Sequence, residues 1–424
     1  MPSVRAATIP NLPPVVRRFV QYVQIDTQSD PEAETTPSTP RQLDLSRLLA
    51  EQLQALGLDP TLDEHGYVYA TIPSTLDADA PVVGLVAHVD TSPDEPGGPV
   101  KPIVHRDYDG SAIALPGDPS VELDPARSPA LLEHLGHDLI TGDGTTLLGS
   151  DDKAGVAVLM QLAEDLLADP SLPRPPLRIC FTVDEEIGRG VDALDLERLG
   201  ADVAYTIDGS GTDTLSFETF NAAEARIAVK GVNVHPGYAK DVMANAAAIL
   251  AGILAGLPSS EAPETTEGRE GYFCPIEVSG TVSEAEARMI LRDFARDGLD
   301  RRKKLVESLV ATARLEHPRA TIELEIDDQY KNMRDYIEAT DPRVVSFAQR
   351  AAEGMGIELE CELVRGGTDG SRLSEMGLPT PNVFDGGYDY HSRFEWNTVQ
   401  NLEASLAYVK RLVGYWAEHG REPA

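Results

Sequence analysis

Residues 82–91 read VVGLVAHVDT, a valine-rich apolar run that breaks into His88, Asp90 and Thr91. A strand with apolar side chains at successive positions has no face to give to water, so it belongs inside a parallel sheet covered by helices. The same construction recurs twice. LRICFTVDEEIG at 177–188 is an apolar strand ending in Asp184, Glu185 and Glu186, and VAYTIDG at 203–209 ends in Asp208. Another strand-like run covers 67–72, while 43–56 and 153–167 carry apolar residues at helical spacing. Strands alternating with helices predict an α/β domain, its mostly parallel sheet covered by helices.

Outward from this centre, LLGSDDKAG at 147–155 sets Asp151 and Asp152 in a tight turn before a helix. PNVFDGGYDYH at 381–391 is a short strand followed by a Gly-Gly turn that carries His391. The Pro-, Gly- and Asp-rich stretch 91–144 reads as loops and short hairpins, and loops of such length in a compact domain are often functional. The pattern changes after Gly211. A strand at 223–229, a helix at 243–257, the acidic turn-rich segment SSEAPETTEGREG at 259–271, a strand at 278–282, a charged helix around 293–314 and an alternating strand at 321–326 form a small α+β set. From Tyr336 the helices and buried strands return, ending in a helix at 402–418. The predicted organisation is therefore one α/β domain in two parts, 1–215 and 331–424, interrupted by an inserted α+β domain at 216–330.

Composition narrows the partners. Of 424 residues, 36 are Lys or Arg and 70 are Asp or Glu, a net charge of −34 that argues against binding nucleic acid. No run approaches the roughly 18 apolar residues of a membrane span. The opening MPSVRAATIPNLPPVV lacks the apolar core and cleavage site of a secretory leader. Three scattered cysteines make neither a disulfide framework nor a thiolate zinc cluster. These features together predict a cytoplasmic protein with no membrane partner.

The polar residues gather beyond the carboxyl ends of the apolar strands, where open α/β sheets form their ligand crevices. Taken singly, an acid there is as a rule a helix cap or a loop charge. Taken together, two histidines and at least four carboxylates make a mixed donor set suited to zinc or a neighbouring divalent metal. Five ligands with one shared carboxylate would hold two ions ~3.5–4 Å apart.

At this point HVDT, LLGSDDKAG, FTVDEEIGRG, TIDG, VHPGYAKDVMANA, APETTEG, RDF, RGGTDGSRLSEMGLPTPN and GGYDYHSRFEW resemble, in order, the motifs of the peptidase T branch of the dinuclear zinc peptidase family. That family also contains dipeptidases, glutamate carboxypeptidases and aminoacylases. The resemblance runs from about residue 15 to the last helix. It implies that His88, Asp151 and Asp208 hold one zinc and Asp151, Glu186 and His391 the other, two per subunit, with cobalt or manganese able to substitute. Asp90 would orient His88 by accepting its second N–H, and the Asp151–Asp152 peptide would be cis.

The implied reaction is hydrolysis of the N-terminal peptide bond of a tripeptide. Two cations bring a bridging water from a pKa of ~15.7 towards ~7, and Glu185 would take its proton and pass it to the departing amine. Glu185 and Glu186, if extended, would point to opposite sides, one to each task. The resemblance further implies that His235 of the inserted domain steadies the oxyanion, that Arg365 grips a substrate carboxylate, and that Arg292 meets substrate or makes a structural salt bridge. The insertion would act as lid and homodimer contact. A dipeptidase, carboxypeptidase or N-acyl-amino-acid deacylase of the same family, and a metal-free binding or scaffold protein, are the alternatives. Asp385 and Asp389, extra acids beside His391, are expected to favour a free substrate amine.

Overall fold

The computed structural model describes residues 11–77 and 79–423; the first ten residues of the opening segment read above for a leader lie outside them. Val83–His88, buried at all six positions, runs parallel between Leu177–Thr182 and Val203–Gly209. Asn382–Phe384 adds a fourth parallel strand beside Val203–Gly209. The remaining strands extend this centre into an eight-stranded sheet, with Thr61–Leu62 and Val68–Ile72 on one side and Thr214–Thr219 and Glu360–Val364 on the other. Val68–Ile72 and Thr214–Thr219 join it antiparallel, so the parallel character predicted from the apolar runs is concentrated in the four central strands. Three of these strands end side by side at His88, Thr182 and Gly209, which brings their acidic extensions to one edge.

Helix Ser150–Ala168 packs on Val83–His88 and Val203–Gly209 and buries Val156, Val158, Leu159, Met160, Leu162 and Leu166. Each such side chain contributes roughly 1.5–3 kcal/mol when fully withdrawn from water. Gly155 permits the close approach of helix to sheet, because a Cβ there would stand 2.1 Å from the Ile207 carbonyl oxygen. The long loop region after Thr91 is organised by short pairings: Leu139–Thr141 lies between Ile103–His105 and Trp396–Thr398 in a three-stranded sheet. Among the described residues no helix is long and apolar enough to cross a membrane.

Glu218–Asp335 together with Leu363–Gly367 form a second compact unit. Residues 331–335 and 363–367, which the sequence pattern assigns to the larger domain, thus cluster with the smaller one. Arg365 shows why: its guanidinium donates to the carbonyls of Gly268 (2.8 Å) and Glu270 (3.2 Å). The unit is a four-stranded antiparallel sheet in the order Tyr272–Gly280, Glu284–Asp293, Asn221–Lys230, Thr321–Tyr330. Helices Ala246–Ala255 and Arg296–Glu316 bury Ile249, Leu250, Ile253, Leu299, Val306 and Val310 against it. The strand Glu284–Asp293 has no counterpart in the pattern read from the sequence. Its residues, EAEARMILRD, are mostly helix formers, and only their period-two burial, with Ala285, Ala287, Met289 and Leu291 inward, marks a strand.

Candidate metal centre

His88 is the last residue of its strand and is 2 % exposed. Its Nδ1 lies 3.2 Å from the Asp90 carbonyl oxygen and 3.3 Å from Asp90 Oδ1. A carbonyl can only accept, so Nδ1 carries the hydrogen and Nε2 presents its lone pair. That Nε2 faces two more acceptors, Asp151 Oδ1 at 2.9 Å and Asp208 Oδ1 at 3.6 Å. On the other side of Asp151, His391 Nε2 stands 3.2 Å from Asp151 Oδ2 and 2.8 Å from Glu186 Oε2. The donor atoms of His88, Asp151 and Asp208, and those of Asp151, Glu186 and His391, form two groups, each within 4.8 Å. Asp151 belongs to both, with one oxygen turned to each.

Backbone geometry explains how two adjacent aspartates are separated. The Asp151–Asp152 peptide is cis, and both residues depart from helical angles within the first turn of Ser150–Ala168. Asp151 faces the histidines, while Asp152 is buried and accepts the N–H groups of His88 (3.1 Å) and Gly155 (3.0 Å). Glu185 and Glu186 are separated differently from the extended arrangement expected. They lie in a 3-10 turn, Glu185–Ile187, entered through Asp184 at φ 60°. Glu186 turns to His391, and Glu185 Oε1 accepts the N–H of Asp369 at 3.2 Å. Asp90 fixes this turn as well as His88: its two oxygens accept the backbone N–H groups of Glu185 and Glu186, each at 3.1 Å.

The charges do not balance within the protein. Burial pushes the Glu186 carboxyl up to about 8 and Asp208 up to about 6, with Asp151 adding to both. Glu185 is raised well above the carboxylate range by burial and Asp208. Hydrogen bonds donated to Asp151 and Glu186 lift His391 to about 11. Were both imidazoles neutral, lone pair would face lone pair at each Nε2, so the contacts need positive charge between them, the proton held by the raised His391 or a cation. Glu186 Oε1 is buried with no hydrogen-bond partner among the described residues, a second sign that the donor set fits a metal.

Other expectations meet mixed outcomes. Asp385 is buried and accepts from Gly387 N (2.7 Å) and Tyr390 Oη, while Asp389 accepts the Trp396 indole N–H at 3.0 Å. Asp385 Oδ1 and Asp389 Oδ2 thus hold their own turn, while Asp385 Oδ2 is buried with no hydrogen-bond partner among the described residues. His134, at i, i+3 from His137, bonds Ala130 O (2.9 Å) and Asn401 Nδ2 (3.2 Å) and has a structural place. In the second unit His235 is exposed; its Nδ1 accepts the Gly237 N–H at 3.1 Å, which puts its hydrogen on Nε2. Arg292 donates to Leu291 O at 3.1 Å and lies over the Tyr330 ring, and Arg365 braces the 266–270 turn beside Phe220 and Tyr272. Two residues to which the sequence reading gives no role also touch the centre. Asp94 lies 3.3 Å from His391 Nδ1, and Glu395 bonds the backbone of the Asp151 turn.

Residues 217–321 match the family model described as a peptidase dimerisation domain. The peptidase T of Bacillus pumilus is 46% identical over 405 residues, covering 95% of this chain and 98% of that one. The peptidase T of Bacillus subtilis is 45% identical over 389 residues, covering 92% and 95%. Among solved structures, an aminopeptidase of Bacillus cereus shares the fold with a TM-score of 0.74 at 23% identity, covering 95% of this chain and 98% of that one. A tripeptidase of Staphylococcus aureus does so at 0.74 and 23%, covering 96% and 98%.

Proposed function

The chain belongs to the peptidase T family, and from that premise we propose that it is a dinuclear zinc aminopeptidase that removes the N-terminal residue of tripeptides, working in the cytoplasm as a homodimer. One observation carries the reading: Asp151 offers Oδ1 to His88 and Oδ2 to His391, each imidazole presenting Nε2. His88, Asp151 and Asp208 would hold one cation and Asp151, Glu186 and His391 the other. Zinc suits this nitrogen and oxygen set, with cobalt or manganese as substitutes. When bound, such a pair polarises the scissile carbonyl and lowers the pKa of a water towards ~7.

The protein's own groups supply the rest. Glu185 has Oε1 engaged by the Asp369 N–H, which leaves Oε2 to receive the proton of the attacking water and return it to the leaving amine nitrogen. Asp90 keeps Nδ1 of His88 protonated and steadies the Glu185 backbone, so base and ligand stay in register. His235, with its hydrogen on Nε2, is suited to donate to an oxyanion. Arg365 and Arg292 are proposed to meet the substrate; each would have to exchange a backbone carbonyl for it. The test is hydrolysis of a tripeptide with and without chelator, beside di-, tetra- and N-acetylated peptides. Chelator-sensitive cleavage that prefers unblocked tripeptides is expected; preference for an N-acyl or dipeptide substrate would refute the assignment.

A further inference from the structure

The turn that carries Asp151 is held by one buried carboxylate, the glutamate of GGYDYHSRFEW, to which neither the resemblance nor the proposed reaction gives a role. Glu395 is 2 % exposed. Its Oε2 accepts the backbone N–H groups of Leu148 (2.8 Å) and Gly149 (2.7 Å), and its Oε1 accepts that of Asp151 (3.0 Å). Two residues on, Asn397 Nδ2 donates to Ser150 Oγ at 2.8 Å, so each residue from Leu148 to Asp151 is tied to the stretch 395–397. That stretch is itself fixed, because Trp396–Thr398 pairs antiparallel with Leu139–Thr141. The fit is close elsewhere: a Cβ on Gly387 would stand 2.6 Å from Ser150 Oγ. His391, which faces the other oxygen of Asp151, is four residues before Glu395 in the same loop.

A helix start needs one or two side-chain acceptors. Three N–H groups on a single buried carboxylate exceed that need, and burying the charge is costly unless every bond is made. The geometry points to Glu395 as a positioning residue that fixes the direction of the Asp151 carboxylate through the backbone of 148–151 and couples it to His391. It touches neither cation nor substrate. The assignment rests on the proposed reading of Asp151 as the carboxylate shared by two cations.

The test uses the full-length protein and the variants Glu395→Gln, Glu395→Asp and Asn397→Ala. Gln preserves volume but turns an amide NH2 against a backbone N–H; Asp keeps the charge one methylene short. Zinc affinity of the stripped protein is measured by competition with a chromophoric chelator, alongside its thermal midpoint, the visible spectrum of the cobalt-loaded protein, and kcat and KM on a tripeptide. Glu395→Gln should weaken zinc binding and lower kcat by ~10–100-fold and alter the cobalt spectrum, with KM within about twofold. Asp should recover part of this, and Asn397→Ala should show it in smaller measure. Unchanged zinc affinity and cobalt spectrum in Gln, or in Asp and Asn397→Ala should Gln fail to fold, would overturn the assignment. So would a loss of kcat that follows the midpoint of the stripped protein while zinc affinity holds. Wild-type protein and Asp151→Asn serve as controls: if they bind zinc alike, the reading of Asp151 fails, independently of Glu395.

Discussion

The two larger sheets of this protein handle charge in opposite ways. In the second unit, acids and bases on the sheet surface sit beside each other: Glu224 takes Arg226 at 2.8 Å and Arg288 at 3.2 Å, and at the unit's margin Glu218 takes Arg269 through two bonds of 2.5 and 2.7 Å. In the larger unit, the four central strands carry few charges along their length, Arg178 among them, and at their carboxyl ends crowd Asp90, Asp151, Glu185, Glu186 and Asp208 about two histidines. Charge neutralised where it stands holds a surface together. Charge buried without its counterpart calls for a proton or a cation to balance it.

The sharpest way to break this contrast is Glu185→Ala, expected to lower turnover of a tripeptide by ~10²–10⁴-fold while zinc content stays that of the wild type. Near-normal turnover would remove Glu185 from the reaction. Next in size, restoring zinc to the stripped protein should raise its thermal midpoint, by the equivalent of about 3–4 kcal/mol at 100–1,000 times the dissociation constant. Calorimetry showing no shift would mean that protons alone balance the acids. Gly155→Ala should cost about 1–3 kcal/mol through the collision with Ile207 O, read by denaturant unfolding. The smallest effect belongs to the paired charges. Arg269 and Arg334 hold the Glu218 carboxyl below its usual range. A lowered folded pKa adds stability above the unfolded value of about 4.3 and loses it as pH falls through the folded one. The midpoint deficit of Glu218→Gln should therefore be present at pH 7 and disappear in acid; a deficit independent of pH would show that packing, not charge, is at stake.

Much of the centre was legible because the sheet itself writes it into the sequence. An unbroken apolar strand followed by His or Asp says both where the strand is and which end faces a ligand, and His88, Glu186 and Asp208 are found that way. Asp151 and His391 follow from glycine-flanked turns and from the family resemblance. Glu395 and Asp94 could not be found so, since bonds to a backbone N–H or to an imidazole leave no spacing rule. The hydrogen bonds of Asp385 and Asp389 within their own turn were equally hidden: proximity in sequence to His391 says nothing about which way a side chain leaves a tight turn. The strand Glu284–Asp293 was hidden by its alphabet, where alternation is written in residues that also favour helices.

Asp90 joins tasks that chemists usually study apart. Because one carboxylate bears on the imidazole of His88 through Oδ1 and on the backbone N–H groups of Glu185 and Glu186 through Oδ1 and Oδ2, a perturbation there cannot be sorted into affinity and proton-transfer parts. Removing it should make later substitutions at position 88 or 185 cheaper than they are alone, so the penalties of double variants would fall short of their sums.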